Sequence, residues 1–179
     1  MNNKRTAGLL AATFTAAIAV PVYAHHSFSI FDASVTKTFT GVVTRVNPDA
    51  NHLQIFFAPM NEERKNVERG PDGKPIVWAV EMAGSAASAQ GGISVSSFPA
   101  GTIFTVSLHP LRSGEPAGAR EGALYKCPVG KNAEGVSKSV PPPAGMHCDS
   151  VEGRIQIGGD DGVPRTAQNP YPNQNQNQN

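Results

Sequence analysis

The chain has 179 residues, with 15 Lys+Arg against 14 Asp+Glu, 39% hydrophobic and 16% charged residues, 18 Gly, 15 Pro and 2 Cys. That length suits one domain carrying extra loops, and the apolar content excludes a wholly disordered chain. A formal charge of +1 lacks the basic excess of an electrostatic nucleic-acid binder, so no nucleic-acid partner is expected.

The N-terminus opens with Lys4 and Arg5, continues as an apolar run from Ala7 to Val20, and reaches Pro21-Val22-Tyr23-Ala24. A basic start, a short apolar stretch and a small residue before the cut describe a secretory signal peptide over residues 1–24. The run is too short to span a hydrocarbon core of about 30 Å, so no transmembrane segment is expected after processing. Ala24 is the better cleavage position because Pro21 ends the helix just upstream; Ala17-Ile18-Ala19 competes less well. Neither site is followed by Cys, which argues against a lipid anchor. The expected location is periplasmic or secreted. Cleavage after Ala24 removes Lys4 and Arg5, leaving 155 residues with 13 basic against 14 acidic side chains. In an oxidising compartment Cys127 and Cys148 are expected to pair as a structural disulfide, since their spacing matches no zinc or Cys-x-x-Cys pattern.

The first strand is predicted over Ser34–Val46, where Val and Thr partly alternate, and it ends in the turn cluster Asn47–Asn51. The second covers His52–Ala58, with Leu53, Ile55 and Phe57 on one face. A polar connection over Pro59–Lys74 leads to a third strand, Pro75–Met82, in which Ile76, Trp78 and Val80 share a face and Trp78 reads as core. Glu81 falls on the opposite face. Gly84–Gly92 holds at most one helical turn. A fourth strand covers Thr102–Leu108. Arg112–Arg120 is Gly/Pro-rich, a fifth strand covers Ala123–Lys126, and a sixth, short strand is placed at Val151–Ile157. The segment 127–148 between the cysteines is too rich in Gly and Pro to hold its shape by packing alone. Residues 159–179 read as a disordered Asn/Gln/Pro-rich tail. The whole is expected to be all-β: one domain over residues 25–158, a small five- or six-stranded barrel or sandwich, OB-like, with long loops.

All five histidines lie after the signal peptide. Cleavage after Ala24 makes His25 the first residue, and a terminal His can chelate Cu(II) through its α-amine and ring nitrogen. A further imidazole from His26, His52 or His109 completes a three-nitrogen set suited to the tetragonal geometry of copper. The candidate metal ligands are therefore His25, His26, His52 and His109, with copper as the candidate cofactor. His147, beside Cys148, is the least promising ligand. Asp32, Glu81 and Glu152 form no recognisable acid–base pair, no nucleophile elbow accompanies Ser27, and no glycine-rich phosphate motif occurs. No catalytic residue is assigned, and the reading leans away from an enzyme.

His25-His26-Ser27-Phe28-x-x-Phe31-Asp32 resembles the opening of the mature chain in a family of small exported bacterial proteins of unknown function. The resemblance continues through Gly41, Asn47-Pro48, Trp78-x-x-Glu81, Pro99-x-Gly101 and His109-Pro110-Leu111-Arg112-Ser113-Gly114, covering roughly residues 25–126. It implies a small periplasmic β-barrel and supplies no activity. That family has an aromatic residue before Asn-Pro and a His directly after it. Here Val46 and Asp49 stand there, so no family histidine is carried onto His52. Two readings follow: a periplasmic copper-binding protein built on His25–His26, or a non-metal interaction module. In the second, HHSF-x-x-FD docks onto the barrel or a periplasmic partner protein, with Phe28 and Phe31 as apolar anchors.

Overall fold

Apolar residues at alternate positions give each strand one face to bury, and a closed ring of such strands buries all of those faces together. The computed structural model describes residues 28–48 and 51–158. The expected signal peptide over residues 1–24, His25, His26 and the expected tail from residue 159 lie outside the described residues. Five strands form the ring: β1 (Lys37–Asn47), β2 (Gln54–Pro59), β3 (Trp78–Glu81), β4 (Ile103–Pro110) and β5 (Ala117–Lys126). β1 pairs with β2 and β4, β2 with β3, and β4 with β5, all antiparallel. A parallel pairing of β3 with β5 closes the barrel. One short helix, α1 (Ser85–Gln90), joins β3 to β4. The OB-like barrel expected from the strand pattern is the fold observed.

Three further strands elaborate the ring. β6 (Val129–Lys131) and β7 (Ser137–Ser139) make a separate hairpin between the cysteines, and β8 (Ile155–Ile157) adds to β5 outside the ring. Inside, Leu53, Ile55 and Phe57 are all buried, as their shared parity predicts, together with Val43, Val80, Phe98, Phe104, Val106, Leu108 and Leu124. Phe104 sits edge-on to Phe57 and Phe98, with ring centroids 5.4 Å and 5.7 Å away. Trp78 is half-buried against this core, 4.6 Å from the Phe39 ring, with the Lys37 ammonium over its face.

The fifth strand begins earlier than the composition suggested. Arg112–Arg120 looked like a glycine-rich connection, but β5 starts at Ala117. Gly118 breaks no strand there. A Cβ at Gly118 would stand 2.5 Å from the carbonyl oxygen of His109 and from Leu108 Cδ1. The residue is glycine because β4 and β5 approach too closely for a side chain. Gly41 plays the same part in β1, where a Cβ would lie 2.6 Å from Phe57 Cδ2.

A second, smaller core lies outside the ring. Met60, Ile103, Cys127 and Cys148 are buried there, with Val42, Tyr125 and Val151 packed against them. Val42 and Ile103 are register partners on the outer faces of β1 and β4, and the Cys127–Cys148 disulfide holds the loop that covers them. That loop is clasped from the other side by the polar connection after β2. Arg64, at φ 57, donates through Nε to the Met146 carbonyl at 2.9 Å, and the Gly145 N–H donates to Glu62 O at 2.9 Å.

Candidate functional site

The N-terminal segment is stitched to the barrel by its backbone. Phe28–Ile30 forms one 3₁₀ turn, and Phe31 then makes an antiparallel bridge to Leu111. The Asp32 N–H donates to Pro110 O at 2.8 Å, and the Arg112 N–H donates to Ile30 O at 2.9 Å. Phe31 is 7% exposed, so this anchor is committed to the chain's own barrel. Two sequence motifs far apart in the chain, Phe31-Asp32 and His109-Pro110-Leu111-Arg112, thus meet side by side.

A polar cluster surrounds that seam. Leu108 is fully buried, so alternation turns His109 to the outer face. His109 Nδ1 lies 3.0 Å from the Val35 carbonyl. A carbonyl can only accept, so Nδ1 carries the proton and a neutral ring presents Nε2 as a bare lone pair. Nε2 faces Glu121 Oε2 at 3.8 Å, and that oxygen also accepts from the Thr36 hydroxyl at 2.7 Å. Asp32 accepts from the Ser34 hydroxyl at 2.6 Å and the Ser34 N–H at 3.2 Å. These bonds hold its carboxyl below the ordinary range, helped by the nearby charge of Arg112.

His52 repeats the pattern elsewhere on the surface. Its Nδ1 donates to Met82 O at 3.0 Å and lies 3.7 Å from Glu81 Oε1. Ala119 is the register partner of both Glu81 and His109, so those two residues stand two strand spacings apart, about 9.6 Å. Each histidine therefore engages its own carboxylate. Among the described residues no group of three or more His, Cys, Asp or Glu is gathered as a metal site. His25 and His26 lie outside the described residues. Cys127 and Cys148 are disulfide-bonded, the pairing expected from the sequence.

His147, passed over in the sequence, is the histidine most fully engaged by side chains. The Cys148 N–H donates to Thr105 Oγ1 at 2.8 Å, Thr105 Oγ1 lies 2.7 Å from Thr40 Oγ1, and Thr40 Oγ1 lies 2.8 Å from His147 Nδ1. One direction satisfies every group: Thr105 donates to Thr40, and Thr40 donates to a bare His147 Nδ1. Protonating that nitrogen reverses the chain and leaves the buried Thr105 hydroxyl with no acceptor among these groups. Burial, then the positive charge of Arg64, pushes the His147 pKa below its ordinary value of 6.5, partly opposed by Asp149. The neutral ring is favoured when folded, whereas the unfolded chain takes up a proton below pH 6.5. Stability contributed by this site is complete above that pH and is lost as the pH falls from there toward the lower folded pKa. The urea midpoint of the wild type is expected to drop as the pH falls below 6.5, and His147→Gln to flatten that drop. An identical pH profile in the variant would refute the assignment. The signal for this site in the sequence was only the adjacency of His147 to Cys148.

No helix among the described residues is long and apolar enough to cross a membrane. The chain belongs to a family of unknown function, DUF6152, whose model matches residues 14–120, more than half of the sequence. The matched stretch contains the docked segment, His52 and His109, and stops short of both cysteines. No curated protein and no solved structure matches the chain.

Proposed function

We propose that this family member is an exported periplasmic binding protein that holds Cu(II) at its mature N-terminus through His25 and His26, with His109 as the further imidazole. The observation that carries the reading is the seam between Phe31-Asp32 and Pro110–Arg112. It fixes Phe31 and Asp32 next to His109, whose Nδ1–H is already spent on a carbonyl and whose Nε2 faces Glu121 at 3.8 Å, the nitrogen a metal would take. Such a hydrogen bond is the usual way a protein orients a metal-binding imidazole. His26 lies five residues before Phe31, a reach of up to about 17 Å, so His109 is the nearer of the two strand histidines along the seam. Export is supported by the basic, apolar and small-residue order of residues 1–24 and by the disulfide. Docking of a partner through HHSF-x-x-FD ranks second, because Phe31 is buried on the chain's own barrel.

Processed protein beginning at His25 is expected to bind one Cu(II) with submicromolar affinity and a tetragonal visible spectrum. One extra residue before His25 should abolish that spectrum, because it removes the α-amine from the chelate. His109→Ala should weaken binding, and His52→Ala should leave it unchanged. Mass spectrometry of the mature N-terminus decides the premise, and a chain starting at Val20 overturns it. A correctly processed protein with no copper spectrum at stoichiometric metal ends the metal reading.

A further inference from the structure

His109 and Glu121 bring two ligating atoms together on the outer face of the barrel. His109 pairs in register with Ala119, and Glu121 stands two positions further along β5, so the pair is diagonal across β4 and β5. The residue opposite His109 is thus a small alanine, which leaves room for both longer side chains. Each of them is aimed by a partner behind it. The Val35 carbonyl takes the Nδ1 proton of His109 and leaves Nε2 as a bare lone pair, while the Thr36 hydroxyl donates to Glu121 Oε2 at 2.7 Å. Both side chains are partly exposed, at 24% and 44%, so an ion in solvent can reach them.

Nε2 and Oε2 stand 3.8 Å apart. Both are acceptors, and two acceptors this close repel unless a positive charge lies between them. A proton on Nε2 supplies that charge but spans the gap poorly, because hydrogen bonds from nitrogen to oxygen close at about 2.7–3.2 Å. A zinc ion spans it well. Zn–N and Zn–O bonds of about 2.0–2.2 Å add to slightly more than the gap, so one ion touches both atoms as they stand. Imidazole nitrogen and carboxylate oxygen are also donors that zinc accepts where no thiolate is offered. The other histidine–carboxylate pair lacks this geometry. Glu81 Oε1 faces His52 Nδ1, the nitrogen whose proton already goes to Met82 O, so that contact is an ordinary electrostatic one. Asp32, on the same seam as His109, is spent on Ser34 and Arg112.

We infer that His109 Nε2 and Glu121 Oε2 form a two-residue zinc site on the outer face, with water in the remaining coordination positions. The Val35 carbonyl and the Thr36 hydroxyl are its orienting partners, of the kind that hold ligating imidazoles and carboxylates in place. The site shares His109 with the copper reading but draws nothing from His25 or His26, so the two stand or fall separately.

Calorimetric titration of zinc chloride tests it, on protein isolated from expression of the full sequence and carrying His25→Ala and His26→Ala. One equivalent should bind. In that background His109→Ala should abolish uptake. Glu121→Gln should weaken it by about tenfold or more, and Thr36→Val, which keeps both ligating atoms, by about tenfold. His52→Ala should change nothing, and circular dichroism without metal checks that each variant is folded. No zinc uptake by the His25/His26 variant, or uptake indifferent to Glu121→Gln, overturns the site and leaves a proton as the partner of that carboxylate. Zinc uptake here with no copper spectrum in the processed wild type ends the copper reading alone. A copper spectrum there without zinc uptake here does the reverse.

Discussion

Replacing Cys127 and Cys148 together by Ser is expected to destabilise the protein by about 3 kcal/mol from chain entropy alone, for a closed loop of this size. The cysteines are 21 positions apart and both fully buried, so two hydroxyls would also enter the outer core beside Met60 and Ile103. For a domain of this length the entropic part corresponds to a fall in Tm of roughly 6–12 °C. The loss should be uneven. The barrel interior is built from residues of a separate cluster, so far-UV circular dichroism should keep its strand signal. Amide exchange should accelerate over the loop between the two cysteines, where β6 and β7 pair only with each other. An unchanged Tm, or uniform loss of protection across β1–β5, would contradict this division into two cores. Wild-type protein under reducing conditions should behave as the double variant does.

Phe104→Ala is expected to cost about 3–5 kcal/mol, a large part of the total stability of a small domain. Phe104 has no exposed surface and lies in β4, between β1 and β5, with edge contacts to Phe57 and Phe98. No main-chain shift can fill the space of a ring touched from two sides, so a cavity remains. Phe104→Leu should cost clearly less, since it restores most of the volume. Arg45→Ala provides the contrast. Arg45 is exposed and stacks over Phe56 at 3.6 Å, an outer-face contact worth about 1 kcal/mol or less. Chemical denaturation of the three variants checks the order, and an Arg45→Ala cost equal to that of Phe104→Ala would show that the core assignment is wrong.

The two largest effects fall outside the candidate copper site, and for a common reason. His109 sits on the outer face beside the N-terminal seam, where side chains are partly solvated and individual contacts contribute little to folding. Substitution of His109 should therefore change binding with little change in stability. That separation makes the copper experiment readable, because a lost spectrum cannot be ascribed to an unfolded protein.

Much of the barrel was legible from local pattern. Alternation marked Leu53, Ile55 and Phe57 as one inward face, and two cysteines matching no metal or Cys-x-x-Cys spacing pointed to a disulfide. Both are statements about spacing in the sequence, and neither requires knowing which strands meet. Gly118 was misread because its role is a close approach to Leu108 and His109, which no local rule contains. His147 gained its network only when the disulfide loop folded over Thr40 and Thr105, 107 and 42 positions away. The sequence by itself determined the alternating strands and the paired cysteines. Only the tertiary structure decided which carbonyl fixes His52 and His109 and which face the loop covers, because those depend on pairings across long separations that local periodicity does not encode.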